Sequence, residues 1–273
     1  MAPGELVVQR PREAEVYGRA IVRAKLPATR TALRLFLEPA TALYYHPGQF
    51  INLRRTDGLT RSYSLASVPR TDPLLELHVR RMANGAMSQW LFDQLEVGDT
   101  IDIAGPYGSC FYLEEDLTKP MLLIGTGIGL APLVGIARDA LHAGHRGPML
   151  LYVGSRKPEG LYLQDELQEL ALDHDNFHYE PCVSGLEVPA GHHAGRADDV
   201  AFTRHPDLEG WRVFLCGVAP MVQAARKRAY LAGARLQEIH AEAFDLRDLR
   251  RLQHSGFDGD DRRRAEPGDL RAN

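Results

Sequence analysis

The chain is predicted to fold as two domains, an N-terminal antiparallel β-barrel followed by an α/β unit with a five-stranded parallel sheet. Three observations predict this. Residues 15–115 carry many short segments in which apolar and polar residues alternate, the period-two pattern of half-buried strands. From Lys119-Pro120 the rhythm changes to compact apolar runs alternating with helical stretches, as in a parallel sheet covered on both faces. The 273 residues, 44% hydrophobic and 25% charged, suffice for two ordinary cores.

Residues 1–14 read as a loose lead-in. Val16 to Leu26 and Ala32 to Leu37 alternate as strands. Pro47-Gly48 turns the chain into a short strand, Phe50 to Leu53, and Thr56-Asp57-Gly58 marks a turn before the strand around Arg61. In Leu74 to Met82, Leu75, Leu77 and Val79 alternate with Glu76, His78 and Arg80. One helix interrupts, with Met87, Trp90, Leu91 and Leu95 at helical spacing. Asp99 to Ala104 is a further strand, ending in the turn Gly105-Pro106-Tyr107-Gly108.

In the second unit, residues 116–245, the expected strands are Met121 to Ile124, Met149 to Val153, Phe177 to Val183, Trp211 to Leu215 and Leu236 to Ala243. The expected helices are Leu133 to Ala143, Leu161 to Leu172 and Pro220 to Ala232, with a loop after Val183. Residues 246–273 are rich in Arg and acidic residues and poor in apolar ones, the composition of a flexible charged tail.

A net charge of -4 predicts no field for nucleic acid or anionic membrane. Cys110, Cys182 and Cys216 neither pair at C-x-x-C spacing nor form a full disulfide framework, which suits a reducing, cytoplasmic compartment. Met1 to Arg12 lacks the apolar core of a signal peptide. No run approaches the roughly 18 apolar residues of a spanning helix, so no membrane insertion is expected.

Five stretches carry chemistry. On a strand, Arg61 and Tyr63 share one face, and Ser62 and Ser64 the other. An Arg fork beside an aromatic plane suits a ligand with a phosphate and a flat ring, and a serine hydroxyl can bond a ring nitrogen. The same pattern also describes an exposed strand with one buried aromatic. Gly85-Ala86-Met87-Ser88 opens a helix whose free N–H groups suit a phosphate, or is a simple cap. Gly125-Thr126-Gly127-Ile128-Gly129 follows an apolar strand and opens a helix, a place where backbone can approach a pyrophosphate. Its glycine spacing differs from the G-x-G-x-x-G fingerprint. Ser155, Arg156 and Cys216 end strands, where α/β sheets bind ligands, although a lone buried thiol is commonly only packing.

Arg61-Ser62-Tyr63-Ser64, Gly85 to Ser88, Gly105 to Gly108, Gly125 to Pro132 and Cys216-Gly217-Val218-Ala219-Pro220-Met221 occur in that order. The set, spanning Glu15 to Phe244, resembles the ferredoxin–NADP reductase superfamily of flavoproteins. It looks most like the reductase components of bacterial aromatic-ring oxygenases. The resemblance implies FAD on the barrel, held by Arg61, Ser62, Tyr63, Ser64, His78, Val79, Arg80, Gly85, Ala86, Met87 and Ser88. Ala86 is free to vary there because backbone makes the contact, and FMN would share the phosphate contacts. It implies NADPH or NADH at Gly125, Thr126, Gly127, Gly129, Pro132, Ser155, Arg156, Cys216, Gly217, Pro220 and Met221. Arg156 suits the 2′-phosphate of NADPH, although similar segments occur in relatives that accept NADH.

Ser64, Cys216 and Glu242 are implied to line the hydride path. Phe244 would cover the flavin, as in plant-type relatives; those end at the aromatic, whereas this sequence continues to Asn273. Phe111 or Tyr112 lies where some relatives stack an aromatic on adenine, with a core aromatic as the alternative.

The implied activity is hydride transfer from NAD(P)H to FAD, followed by single electrons passed to a separate acceptor: a ferredoxin, a flavodoxin or an oxygenase component. The iron–sulfur spacing C-x4-C-x2-C is absent, as are hydrolytic and zinc motifs, so no metal is expected. A monomer is expected. The competing reading is a non-catalytic flavin- and nucleotide-binding electron-transfer subunit or sensing module of a larger complex.

Overall fold

The computed structural model describes residues 16–244; the lead-in and the charged tail lie outside the described residues. The barrel comprises β1 (Val16–Pro27), β2 (Ala32–Pro39), β3 (Phe50–Arg54), β4 (Thr60–Ser64), β5 (Leu75–Arg80) and β6 (Thr100–Tyr107), with helix α1 (Ala86–Asp93) between β5 and β6. The strands pair antiparallel in the order β4-β3-β6-β1-β2-β5. The two end strands meet at a bridge between Leu65 and Leu77. Alternation places Leu35, Leu37, Ile51, Leu53 and Leu77 inside, and α1 closes that core with Met87 and Leu91.

Gly105-Pro106-Tyr107, expected as a turn, continues β6 instead: Gly105 pairs with Val16 and Tyr107 with Phe50. The chain turns at Gly108, whose φ of +96° favours glycine.

The second unit comprises β7 (Met121–Thr126), α2 (Leu130–His142), β8 (Met149–Ser155), α3 (Gln164–Asp173), β9 (Phe177–Val183), β10 (His193–Ala194), α4 (Ala197–Arg204), β11 (Arg212–Val218), α5 (Ala219–Leu231) and β12 (Ile239–Phe244). The sheet is parallel, in the order β10-β9-β8-β7-β11-β12. All five expected strands are present, and β10 adds a two-residue edge. Helix α4 lies where a loop was expected. Its inner face is only Ala197, Ala201 and Phe202, with a buried Asp198, so no apolar stripe announces it. Helix α3 begins three residues later than its apolar pattern, because Leu163 is left-handed with φ +58°.

Strand order reverses between β7 and β11, and in open α/β sheets ligands bind in the crevice at such a point. The barrel sits against this side of the sheet: Ala66, Cys110 and Tyr112 share a core cluster with α2 and with Phe214 and Cys216 of β11. Arg138 of α2 makes a two-pronged bond to Asp72, 2.8 Å on each arm, and Arg34 of β2 reaches Glu166 of α3 at 2.7 Å.

Candidate active site at the domain boundary

Three side chains predicted to line one path converge. Parallel pairing puts Cys216 of β11 in register with Gly125 on one side and Glu242 on the other. From the barrel, the Ser64 hydroxyl donates to Glu242 Oε1 at 2.9 Å, joining residues 178 apart in sequence. Burial pushes the Glu242 carboxyl up to about 7, and the Ser64 bond only partly offsets this. Cys216 is fully buried. Burial first, then the neighbouring Cys110 thiol and the Glu242 charge, hold it well above the usual thiol range, so it is a neutral S–H. Two residues past Glu242 on the same face, Phe244 pairs with Val218 and is half-buried.

The β7–α2 turn forms the floor of a cleft of about 420 Å³. Gly127 has φ +56°, and a Cβ on Gly129 would stand 2.2 Å from the Cys216 carbonyl oxygen, so both positions require glycine. A Cβ on Gly217 would likewise fill the space 2.3 Å from Thr126 Oγ1. Thr126 Oγ1 is buried with no hydrogen-bond partner, a polar atom left for a ligand to satisfy. These features fit a dinucleotide whose phosphates rest on bare backbone. Thr126, Gly127, Ser155, Arg156 and Met221 line the cleft. Gly125, lying under Leu133, and Pro132 and Pro220, in the first turns of α2 and α5, shape the turns beneath it.

On the barrel, Ser62 donates to Asn52 at 2.7 Å, Arg61 is half-exposed, and Tyr63 packs against the barrel core with its phenol pushed up by burial. Ser88 does not face outward as a phosphate ligand. Its Oγ accepts from Met82 N–H and donates to the Gly85 carbonyl, each at 3.0 Å, closing the loop before α1. The N–H groups of Ala86, Met87 and Ser88 precede the first intrahelical bond, made by Gln89 to Gly85, and are the donors a phosphate would meet. That turn therefore fits a flavin nucleotide through backbone.

The structure redistributes β5. Val79 is core, so only its backbone is available to a ligand. His78 is buried, its ring between Glu76 Oε1 at 3.0 Å and the Tyr162 hydroxyl at 2.9 Å. With Nε2–H donating to the carboxylate, Nδ1 accepts from the tyrosine, so the ring is neutral; burial lowers its pKa accordingly. Arg80, implied for the flavin, lines the cleft over the β7–α2 turn, its guanidinium near Gly127. Of the two aromatic candidates, Tyr112 is core and bonds His145 Nδ1 at 3.1 Å, while Phe111 stacks on His46 at 4.5 Å.

Sequence reading passed over Tyr162 and Arg196 in the cleft, and Arg55, which bonds the Ala86 carbonyl at 3.2 Å. Only Arg55, beside the Thr56-Asp57-Gly58 turn, carried a local signal. Among the described residues, no cluster of His, Cys, Asp or Glu could hold a metal ion, and no helix is long and apolar enough to cross a membrane.

A barrel with a phosphate-ready helix turn, facing the switch point of a parallel sheet, defines a two-domain dinucleotide-binding oxidoreductase. Residues 21–112 match the model of the oxidoreductase FAD-binding domain, and residues 123–227 that of the oxidoreductase NAD-binding domain. The chain belongs to this family of FAD- and NAD-binding oxidoreductases, within the ferredoxin–NADP reductase superfamily.

The ferredoxin–NAD(P)(+) reductase component of the Pseudomonas putida naphthalene 1,2-dioxygenase system is 33% identical over 231 residues, 85% of this chain and 70% of that protein. The reductase subunit of an Amycolatopsis aromatic O-demethylase is 40% identical over 220 residues, 79% and 65% of the two chains. An Amycolatopsis cytochrome P450 reductase of known structure superimposes with a TM-score of 0.79 at 36% identity, covering 84% of this chain and 70% of that one. The chain spans about two thirds of the length of the curated relatives it matches.

Proposed function

We propose that the chain is a reductase that takes electrons from NADH or NADPH and delivers them to a separate one-electron acceptor: a ferredoxin, a flavodoxin or an oxygenase component. The observation that carries this reading is the meeting of Ser64, Glu242 and Cys216 where the barrel faces the dinucleotide cleft. Bound together, FAD and NAD(P)H supply the redox chemistry, a hydride passing to the flavin and single electrons leaving it.

The protein's part is to position and to exclude water. FAD would be held by Arg61 at its phosphate, by Tyr63 and Ser64 of β4 and Phe244 of β12 at its ring, and by the first-turn N–H groups of α1 at its pyrophosphate, with Glu242 bonded to Ser64. The nicotinamide dinucleotide would be held by Gly127, Thr126 and Arg80, and its ribose end by Ser155 and Arg156. The neutral Cys216 thiol places no charge on the path between the two rings. In this reading residues 15–115 are the flavin unit and 116–245 the nicotinamide unit, working as a cytoplasmic monomer.

A visible spectrum taken without oxygen, before and after NADH and then NADPH, tests this. Flavin bands that bleach are the expected result, and the faster donor identifies the nicotinamide. Bands that persist with both donors would overturn the reductase reading, and folded protein that stays colourless after added FAD would overturn the flavin site.

A further inference from the structure

The Sγ atoms of Cys110 and Cys216 lie 3.8 Å apart, both side chains buried, although 106 residues separate them in sequence. The two sulfurs are held differently. Cys216 sits within β11, fixed by ladders to β7 and β12. Cys110 lies in the stretch after β6, outside any strand or helix and two residues past the turn at Gly108. A disulfide requires about 2.05 Å between sulfurs. The unpaired segment carrying Cys110 is the side able to move. The third thiol, Cys182 on β9, instead donates to the Glu180 carbonyl and serves as an internal control.

We propose that Cys110 and Cys216 form a redox-active pair, whose oxidation to a disulfide shuts the path lined by Ser64, Cys216 and Glu242. The oxidant is hydrogen peroxide. One thiol loses its proton and its sulfur attacks peroxide, breaking the O–O bond to give a sulfenic acid and water. The second sulfur then attacks the sulfenic sulfur, and its proton leaves with the hydroxyl as a second water. Two thiols and one peroxide become one disulfide and two waters, with two electrons passing from sulfur to oxygen. The proton of the first thiol leaves with the departing peroxide hydroxide as the first water.

Burial keeps the Cys216 thiol protonated and the first step slow. The second step is fast because the partner sulfur is already in contact, and this diverts the sulfenic acid from further oxidation. The disulfide removes the Cys216 thiol from the path and tethers the segment after β6 to β11. The chemistry of the pair stands on its own geometry. Only its effect on electron transfer rests on the function proposed above.

The test treats the flavin-loaded protein with hydrogen peroxide, alkylates it after unfolding, and maps the thiols by mass spectrometry. In parallel, the rate at which NADH or NADPH bleaches the flavin is followed. The expected result is a Cys110–Cys216 disulfide with Cys182 still alkylated. Flavin reduction should fall at least about tenfold, since small displacements at a reacting centre cost up to a hundredfold, and dithiothreitol should restore it. Cys110→Ser, or Cys110→Ala if that variant folds poorly, should keep its rate under mild peroxide.

All three cysteines alkylated after treatment, or Cys216 driven to sulfinic acid with Cys110 untouched, would overturn the pair. A disulfide that forms while flavin reduction is unchanged would keep the pair and overturn the placement of Cys216 on the electron path.

Discussion

The two walls of the cleft are built by opposite means. The barrel side works with side chains on antiparallel strands: Arg80 lines the cleft from the end of β5, and Arg61, Tyr63 and Ser64 stand along β4, while the backbone behind them is spent on ladders. The sheet wall works with backbone, at Gly127, Gly129 and Gly217, where side chains would occupy the ligand's space or strike the neighbouring strand. Substitution on the barrel wall should therefore remove a contact and spare the fold, whereas on the sheet wall it should strain the fold itself.

The sharpest test of that contrast is Gly129→Ala, whose methyl would meet the Cys216 carbonyl oxygen at 2.2 Å, against β11 backbone that cannot swing aside as a side chain could. A destabilisation of about 1–3 kcal/mol, typical of overpacking, is expected in thermal or urea unfolding, with nicotinamide binding lost. A variant as stable as the parent would show that this wall can yield. Arg61→Ala, on the other wall, should weaken FAD binding by roughly tenfold to a hundredfold, the worth of charge-assisted bonds to phosphate, at an unchanged unfolding midpoint. Full yellow colour at stoichiometric FAD would break the assignment.

Between the walls, Tyr162→Phe removes the donor to buried His78 Nδ1. Leaving that acceptor unpaired should cost about 1–3 kcal/mol, without touching FAD absorbance.

Glu242 supplies a pH test. Its folded-state value of about 7 lies above the ordinary carboxyl value, so the folded protein binds this proton more tightly. Its contribution is complete below about 4.3, the unfolded value, and is lost as pH rises through 7. The stability of the parent relative to Glu242→Gln should therefore fall across that window and level off above it. A difference independent of pH would remove the perturbed carboxyl from the account. The smallest effect belongs to exposed Arg156 at the cleft rim. Arg156→Ala should raise KM for NADPH more than for NADH and leave kcat nearly unchanged; equal shifts would leave the 2′-phosphate contact unsupported.

Both domains were legible because their signals are local. Period-two alternation marks strands of a one-sided sheet, apolar runs mark buried parallel strands, and a glycine turn between strand and helix needs only its neighbours to be recognised. Helix α4 escaped because Asp198 occupies its buried face, held by Arg196 at 3.2 Å, so the side chains that seat it break the apolar period. Residues 60–64 could be read as a site, but their alternation gave no sign of what Ser64 would face.

The sequence by itself determined the six barrel strands, the five main strands of the second sheet and the glycine turns, each set by residues within a few positions of one another, while the cofactor class came from the order of five motifs along the chain. Tertiary structure decided everything that depends on which surfaces meet. It turned the implied nearness of Ser64 and Glu242 into a hydrogen bond, set Cys110 beside Cys216, placed Arg80 on the β7–α2 cleft, and drew His78 into a bond with Tyr162. The physical reason is that propensity and periodicity act along the chain. Register and domain packing instead bring together residues up to 178 positions apart, and no local pattern encodes that meeting.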